Sequence, residues 1–477
     1  MVIEKLPQPK LLQFQSISQF GIERIAKYYS SCDYQICEYS LGIKLMWESA
    51  YSYTFAEHGA CLIGRCVYDG RVCFDFPLAG ENGDVDAALR AIEDYCLCTD
   101  TPLCFATVPS DRLGALAARY DGVAVQNAYR YRDYVYRIDD ISHFAGKKYA
   151  GQRNHIRRFD GLYPDATFRP LTHNDLPALE RFAERFSANA RHWNDEARTE
   201  RESAFRILQE SAHSCFRIGC MEYRGEIIGV ALGEKCGNTL VEHIEKALSN
   251  EFEGIYPALF RGFVRTFGGD CEFVNREDDA GERGLRTSKL QYHPDRIVNK
   301  YDVNVKNILH FVDEIPTIHT ERLTLDAIQS TDAEDYGKLC LDDDRNRYWG
   351  YDWREDHPNG TPSGFYFCRV ADEDFAARYA ANFAVRLEGR LIGEVIVYHF
   401  DYRGGAELGV RIDPLYAGQG YGREAFAAVS DWVLYSLNAT RIFSQCFRNN
   451  VASERMLSSL MRRVGEDDRM IFFERRA

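Results

Sequence analysis

Near its C-terminus the chain reads Tyr416-Ala417-Gly418-Gln419-Gly420-Tyr421-Gly422-Arg423-Glu424-Ala425, between a predicted strand over 406–412 and a predicted helix over 426–437. Glycines at alternate positions let the backbone approach a ligand closely and adopt positive φ angles. The N–H groups of such a loop lie at the positive end of the helix dipole, where they form a cradle for an anion such as a pyrophosphate. A tight strand-to-helix turn would use the same glycines, so the loop by itself is open to both interpretations.

A second motif follows this helix. A predicted strand over 441–447 leads into Asn449-Asn450-Val451-Ala452-Ser453-Glu454-Arg455, which opens another helix. The order strand, glycine loop, helix, strand, Asn-x-x-Ser-x-Arg, helix resembles that of the GNAT acetyltransferases. With the strand-like segment over 320–325, residues 317–477 resemble the RimJ/RimL branch, whose members acetylate amino groups, including protein N-termini. Ala417 departs from that branch, which usually has Arg or Gln there, but the backbone donors of the loop are kept.

The resemblance implies functions for individual residues. It makes acetyl-CoA the donor and an amine of a small molecule, a peptide or a protein N-terminus the acceptor. It makes Glu407 the candidate base, Ser453 the candidate acid and Asn450 a residue that orients the pantetheine arm. Glu407 could equally be a solvated strand residue, and Ser453 or Asn450 could cap the next helix. The residues expected to hold the coenzyme are Val410, Arg411, Ile412, Gly418, Gln419, Gly420, Tyr421, Gly422 and Arg423.

An acidic and aromatic segment lies earlier in the same part of the chain, from Asp342-Asp343-Asp344 to Trp353. In this fold the segment usually overhangs the acceptor, and acidic and aromatic groups together suit a cationic amine. We therefore expect Trp349, Tyr351 and Asp352 to bind the substrate. A solvated loop with buried aromatic anchors is the alternative.

The middle of the chain carries a dense charged motif over 275–294, which contains Arg286 and Lys289. These two residues are three apart and share a face if the segment is helical, and such a pair suits phosphate or carboxylate. A solvated loop with ion pairs is the alternative. Upstream, the residues Lys147, Lys148, Arg153, Arg157 and Arg158 form a basic strip in an otherwise acidic chain. It is interpreted either as an exposed helix face or as a phosphate contact.

Residues 10–305 resemble a bacterial family of uncharacterised cytosolic proteins that is similar to the catalytic C-terminal domain of phosphatidylglycerol lysyltransferase. The resemblance implies two GNAT-like subdomains side by side, as in the Fem aminoacyltransferases, which use aminoacyl-tRNA as donor. The sequence has no multi-helix membrane domain, so a lipid acceptor in the bilayer is not expected. The substrate-binding residues implied by the family fingerprint are Asn275, Arg276, Asp279, Arg286, Lys289 and Tyr292.

The pattern of predicted elements indicates an α+β protein of three GNAT-like units in tandem, each with a mixed, mostly antiparallel sheet flanked by helices. Helix, helix, strand hairpin, strand, helix recurs three times. The hairpins are expected to be closed by the two-residue turn Asp69-Gly70 and by the segments Arg224-Gly225-Glu226 and Glu388-Gly389-Arg390. The expected units are 1–144, 145–312 and 316–477.

Composition limits the class of protein. The 477 residues carry 58 basic and 72 acidic side chains, a net charge of −14, which argues against a general binder of nucleic acid or anionic membranes. Fifteen scattered cysteines predict reduced thiols in the cytoplasm, and the dispersed histidines predict no metal site.

Three hypotheses follow. The first is a soluble acyltransferase whose N-terminal pair transfers an aminoacyl or acyl group, with aminoacyl-tRNA as one possible donor. In the second, the N-terminal pair is a non-catalytic module that presents the substrate. In the third, Ala417 marks a degenerate coenzyme site, and the whole protein is a binding scaffold.

Overall fold

The computed structural model describes residues 11–99, 101–120, 122–189, 215–349 and 352–477. Among these residues the strands form three mixed sheets with helices on their faces, which confirms the predicted α+β class of tandem GNAT-like units. Each sheet contains a parallel pair within an otherwise antiparallel order. None of the described helices is both long and apolar enough to cross a bilayer.

The strands are numbered along the chain. Those of the first third are β1 (Gln15–Ser16), β2 (Thr54–His58), β3 (Cys61–Tyr68), β4 (Arg71–Phe74), β5 (Leu78–Ala79), β6 (Cys104–Pro109) and β7 (Gly122–Asn127). Those of the middle are β8 (Asp133–Arg137), β9 (Thr167–Pro170), β10 (Phe216–Tyr223), β11 (Glu226–Cys236), β12 (Thr239–Ala247), β13 (Phe273–Asn275), β14 (Arg296–Val298) and β15 (Lys300–Lys306). Those of the last third are β16 (Ile318–His319), β17 (Leu323–Ala327), β18 (Ala381–Leu387), β19 (Arg390–Tyr398), β20 (Gly405–Ile412), β21 (Arg441–Phe447), β22 (Arg462–Glu466) and β23 (Met470–Arg476).

Helices connect these strands. Before β8 they are Ile17–Phe20, Ile22–Ser30, Leu41–Met46, Glu48–Tyr51, Val85–Cys98 and Leu113–Arg119. Between β8 and β16 they are Ile138–His143, Ala150–Leu162, Leu176–Asn189, Ile255–Phe267 and Arg283–Leu290. After β17 they are Ala333–Leu341, Asp343–Asn346, Trp353–Asp356, Gly364–Ala376, Tyr421–Asp431 and Val451–Leu460, with a π-helical turn at Trp432–Ser436.

The first two sheets exchange strands. The first sheet has the order β1-β2-β3-β4-β6-β15-β7, with β5 beside β3, and the second has the order β14-β8-β13-β12-β11-β10-β9. Thus β8 belongs to the second sheet although it lies within the expected unit 1–144, and β15 belongs to the first sheet although it lies within the expected unit 145–312. This exchange brings residues of both thirds together between the sheets. The third sheet, β16-β17-β18-β19-β20-β21-β23-β22, is built from the last third alone.

The three predicted hairpin turns are confirmed, except that Glu226 and Arg390 already belong to the strands β11 and β19. Both residues of each turn have positive φ, 50° and 73° at Asp69-Gly70, 53° and 79° at Arg224-Gly225, and 50° and 84° at Glu388-Gly389. Paired positive φ angles match the right-handed twist of the strands that they join. The same type of two-residue turn therefore closes one hairpin in each sheet.

Two element bounds differ from the prediction. The alternating aromatic and charged residues over 129–137 predict one continuous strand, but the strand is confined to β8, because Tyr129–Tyr131 forms a 3-10 turn where the chain crosses between the sheets. The helix expected from residue 426 already begins at Tyr421, directly after Gly420. The sequence also predicts a helix over 202–209, a segment that lies outside the described residues.

Candidate functional site

The glycine loop is open to solvent and ends at a helix. Gly418 and Gly420 have φ angles of 78° and 86°, and Gly420 is the N-cap of the helix Tyr421–Asp431. Within the part of the chain that the structure describes, nothing accepts a hydrogen bond from the amides of residues 418–423. These donors, at the start of a helix, form the predicted cradle for an anion.

The parallel strands β20 and β21 separate beside this loop. They pair only over Gly405–Glu407 and Arg441–Phe443, after which the Ser444 hydroxyl donates to the Leu408 carbonyl at 2.7 Å. Beyond Leu408 the β21 edge of β20 has no strand partner among the described residues.

Two backbone amides point into this gap. The amide of Asp413 donates to Ile392 of β19 at 2.8 Å, and the Leu408 carbonyl faces β21. Because successive residues of a strand direct their N–H groups to opposite edges, the amides of Val410 and Ile412 face the gap. Both are suited to polarise a carbonyl placed there.

The side chains of β20 divide between two faces. A Cβ atom on Gly422 would lie 3.3 Å from Ile412 Cγ1 and 3.9 Å from Val410 Cγ2, so these residues pack under the helix after the loop. Arg411 points to the other face, where its guanidinium donates to Glu394 and Asn346, each at 2.8 Å. Its side chain is thus held in a buried network away from the glycine loop.

Arg322, which the sequence interpretation missed, supports the loop. It donates to the Gln419 carbonyl at 3.0 Å and to Glu424 at 2.7 Å, and its guanidinium carbon lies 4.6 Å from the centre of the Tyr421 ring. Arg423 instead donates to the Ser459 hydroxyl at 3.1 Å, on the helix Val451–Leu460. The side chains around the loop are therefore used to hold its backbone.

Glu407 is buried and fully engaged. Its Oε2 lies 2.9 Å from His399 Nδ1, and its Oε1 accepts from Gln445 at 3.1 Å. Only 4% of the side chain is exposed, so the solvated-strand interpretation is wrong. His399 follows Tyr398, the last residue of β19, and was not singled out in the sequence.

The cap of the helix Val451–Leu460 is Asn450. Its Oδ1 accepts from the Ser453 amide at 3.2 Å. The half-buried Ser453 hydroxyl is therefore not used as the cap.

Trp349 lies on the face of β20 that carries Glu407 and Arg411. A Cβ on Gly409 would be 3.5 Å from the indole ring, and the Arg411 guanidinium lies 4.3 Å from the ring centre. The neighbouring Tyr348 contacts Phe447 of β21, with 5.6 Å between ring centres. The segment thus touches both strands that border the gap. Asp352 caps the helix Trp353–Asp356, and Tyr351 lies outside the described residues.

In the second sheet the corresponding gap is closed by ion pairs. Strands β12 and β13 are parallel only up to Val241 and Asn275. Arg276 then pairs with Glu242 at 2.9 Å and with Glu245 where the strands part. Burial and the neighbouring Glu245 raise the pKa of Glu242 to about 8. The side chain of Arg276 thus fills the place that the third sheet leaves open.

The other fingerprint residues also contact protein groups. Asp279 accepts two bonds of 2.9 Å from Arg286, and Lys289 donates to the carbonyls of Arg276 and Asp278. Burial lowers the pKa of Lys289. Asn275 donates to Asp133 at 2.9 Å, and Tyr292 packs against Arg276 with 4.9 Å between the guanidinium carbon and the ring centre. The side chain of Arg286 is 32% exposed.

The exchange of strands assembles a cluster that the sequence interpretation did not find. The Lys300 cluster consists of Lys300, Cys37, Glu38, Asp133 and Asp278. Lys300 Nζ lies 2.7 Å from Glu38, 2.8 Å from Asp133, 3.3 Å from Cys37 Sγ and 3.9 Å from Asp278. Cys37, Glu38 and Asp278 are close enough to hold a metal ion, but the Lys300 ammonium already supplies a cation to them.

The charges of this cluster are unevenly exposed. The side chains of Lys300 and Asp133 are fully buried, whereas Glu38 and Asp278 are 13% and 21% exposed. Burial would lower the pKa of Lys300, but Asp133, Cys37 and Glu38 raise it. Burial raises the pKa of Glu38 to about 7, although Lys300 opposes this. The part of the cluster nearest solvent is therefore acidic, and such perturbed groups are frequent at functional sites.

A second buried group adjoins it. His243 lies 2.9 Å from Glu234 and 2.7 Å from Glu277, one carboxylate at each ring nitrogen. Burial would lower the pKa of His243, but the two hydrogen bonds raise it to about 9. Glu277, next to Asp278, has a φ of 57°, a conformation that non-glycine residues rarely adopt.

The basic strip is partly engaged. Arg158 pairs with Glu253 at 2.7 Å, Lys148 pairs with Asp140 at 3.2 Å, and Arg153 donates to two carbonyls. Lys147 and Arg157 are exposed. An anion could thus meet these two side chains without displacing those pairs.

Family models match two parts of the chain. The model described as "Phosphatidylglycerol lysyltransferase, C-terminal" matches residues 30–304, more than half of the chain. The model of an acetyltransferase (GNAT) domain matches residues 322–460.

Individual relatives are more distant. A conserved protein of unknown function from Bacteroides thetaiotaomicron is 25% identical, with a TM-score of 0.57, and the match covers 62% of this chain and 100% of that one. A putative ribosomal-protein-serine acetyltransferase from Vibrio cholerae is 22% identical, with a TM-score of 0.28, over 34% of this chain and 98% of its own. An uncharacterized protein of Mycoplasmoides gallisepticum is 25% identical over 179 residues, 36% of this chain. This chain spans only 56% of that curated relative.

Proposed function

We propose that this chain, which belongs to the family defined by the C-terminal region of phosphatidylglycerol lysyltransferase, is an N-acyltransferase with two acyl-transfer centres. It also carries a GNAT acetyltransferase domain. The C-terminal domain transfers an acetyl group from acetyl-CoA to an amine. The N-terminal pair of units transfers an aminoacyl group, with aminoacyl-tRNA as the donor.

One observation carries the first assignment, namely the open glycine loop beside the gap between β20 and β21. The amides of residues 418–423 suit the diphosphate of the coenzyme, and the amides of Val410 and Ile412 suit the thioester carbonyl. Ala417 does not remove any of these donors, which supports a functional coenzyme site.

The segment that contacts both strands beside the gap contains acidic and aromatic residues. Trp349 covers Gly409 beside the buried Glu407, and Asp342 to Asp344 lie just before it in the chain. A cationic amine is favoured at such a surface, and it must lose a proton before it attacks the thioester. The half-buried Ser453 hydroxyl supplies a proton to the leaving thiolate. The range of acceptors comprises small amines and peptide N-termini.

The N-terminal pair differs, because Arg276 occupies the gap in the second sheet. The Lys300 cluster offers an acidic rim instead, formed by Glu38 and Asp278. This rim suits the ammonium group of an aminoacyl ester, and Lys147 with Arg157 of the basic strip suits tRNA phosphates.

Two assays test the two assignments separately. In the first, release of CoA thiol is followed with acetyl-CoA and a panel of primary amines and peptides, together with calorimetric titration of acetyl-CoA. Binding and turnover are expected, and absence of both would overturn the C-terminal assignment.

In the second assay, radiolabelled lysyl-tRNA and alanyl-tRNA are incubated with the protein and the same amines. The E38Q/D278N variant is expected to lose aminoacyl transfer, whereas E57Q, a control at a surface ion pair, should retain it. Equal transfer by E38Q/D278N and wild type would overturn the assignment. If wild type and the variant both bind tRNA but neither of them transfers an aminoacyl group, the interpretation of the N-terminal pair as a recognition module would be favoured.

A further inference from the structure

The carboxylate of Glu407 is poorly placed to take a proton from the substrate directly. Both of its oxygens accept from protein groups, and its side chain is 4% exposed. His399, in contact with it, is 43% exposed. Of these two groups, the imidazole is by far the more exposed to solvent.

The backbone supports this pairing. His399 has a φ of 46°, in the left-handed region that is costly for a residue with a Cβ. In an extended strand the side chains of Tyr398 and His399 would point to opposite faces. The turn at His399 instead brings both side chains to Glu407. Burial raises the pKa of Tyr398, and the nearby Glu407 carboxylate raises it further. Strain of this kind is frequently retained at functional sites.

We infer that His399 is the catalytic base of acetyl transfer and that Glu407 is its positioning residue. This inference rests on the proposed function of the C-terminal domain. His399 takes one proton from the acceptor ammonium and releases it to solvent. The amine nitrogen then bonds to the carbonyl carbon, the C–S bond breaks, and the second proton lost from nitrogen ends on the departing thiolate. Glu407 holds the Nδ1 side of the ring and stabilises the imidazolium that forms.

Groups on three strands lie around the Glu407–His399 pair. Glu407 of β20 is the carboxylate in contact with the imidazole, Tyr398 of β19 packs 4.5 Å from it between ring centres, and Gln445 of β21 fixes the far oxygen of Glu407. The negative charge of Glu407 favours the imidazolium. Loss of this charge should therefore change the pH dependence of turnover as well as its rate.

The experiment uses the full chain with acetyl-CoA and an amine that wild type acetylates. We expect H399A to lose about a hundredfold or more in kcat/KM, since general bases contribute at least this much. It should bind acetyl-CoA as tightly as wild type does, and added imidazole should restore part of its rate. E407Q should keep a base but shift the ascending limb of the pH profile, without rescue by imidazole. H319Q is the control, because His319 is exposed and its ring lies 3.3 Å from the hydroxyl of Thr324, on the edge of the third sheet.

The outcomes separate the two proposals. If H399A keeps the full kcat/KM, the role of His399 is overturned. The same holds if H399A binds acetyl-CoA normally but imidazole does not restore its lost rate. Neither outcome contradicts acetyl transfer itself. A wild-type chain that acetylates none of the amines would overturn acetyl transfer, and the role of His399 with it.

Discussion

The amide of Leu103 donates a hydrogen bond of 3.2 Å to the phenol oxygen of Tyr402, and this bond joins the first sheet to the third. Leu103 precedes β6, and Tyr402 lies in the loop between β19 and β20 that also begins with His399. Next to it, Arg403 donates to Asp94 at 2.6 Å. The loop that leads into the candidate acetyl-transfer site is therefore held by the N-terminal part of the chain.

Replacement of Tyr402 by Phe should destabilise the protein. It leaves the buried Leu103 amide without its acceptor, which typically costs about 1–3 kcal/mol. The free energy of unfolding in urea measures this loss. Tyr379→Phe is the control, because Tyr379 is 52% exposed. Equal stability of the two variants would contradict the importance of this bond.

Alanine at Gly418 or Gly420 should weaken the binding of acetyl-CoA. Both residues have positive φ, and a Cβ in that region costs about 1–2 kcal/mol. If the loop relaxes to avoid this strain, its amides leave the cradle, and the dissociation constant should rise about tenfold or more. Calorimetric titration with acetyl-CoA measures it. Gly360→Ala has open space and is expected to bind like wild type.

Replacement of Lys300 by Met should destabilise the N-terminal pair. It leaves Asp133 and Glu38 buried without their cation, and such losses cost about 3–5 kcal/mol. The midpoint of urea denaturation is the measurement. Lys306→Met changes the other end of β15 and should cost much less. A Lys300→Met protein as stable as this control would show that the ammonium group contributes little.

The protein should lose stability as the pH rises from about 5 to 9. In the folded state the pKa of Glu38 is raised to about 7, that of Glu242 to about 8 and that of His243 to about 9. Each raised pKa means that the folded state binds more protons than the unfolded state across this range, so stability is greatest at its acidic end.

The contribution of His243 to this pH dependence of stability can be measured separately. Its stabilisation is complete below its ordinary pKa of 6.5 and is lost as the pH rises through about 9. The fall in unfolding free energy between these values should therefore be smaller in His243→Gln than in wild type, by about 3 kcal/mol at most. Parallel stability curves for the two proteins would contradict a charged His243 in the folded state.

Local features could be predicted from the sequence because nearby residues determine them. The Asp69-Gly70 turn depends on two consecutive φ angles, and Asn450 caps a helix that begins at the next residue. The glycine loop is of the same kind. The family resemblance then predicted mixed, mostly antiparallel sheets, which no short segment encodes.

Partners that are distant in sequence could not be predicted. Glu407 was interpreted without His399, because the contact depends on a left-handed turn at the end of β19. Arg276 was expected to bind a substrate, and the structure surrounds it with Glu242 and Glu245. The charge of a side chain is visible in the sequence, but the group that neutralises it is not.

The sequence by itself determined the α+β class, the hairpin turns and a glycine loop at the start of a helix, since these depend on periodicity and on glycine conformation. Only the tertiary structure decided which clefts are open and which charges face them. Lys300 and Glu38 are separated by 262 positions and meet because β15 returns to the first sheet. Ion-pair energies depend on the distance between charges and on their burial, and both are set by the pairing of strands.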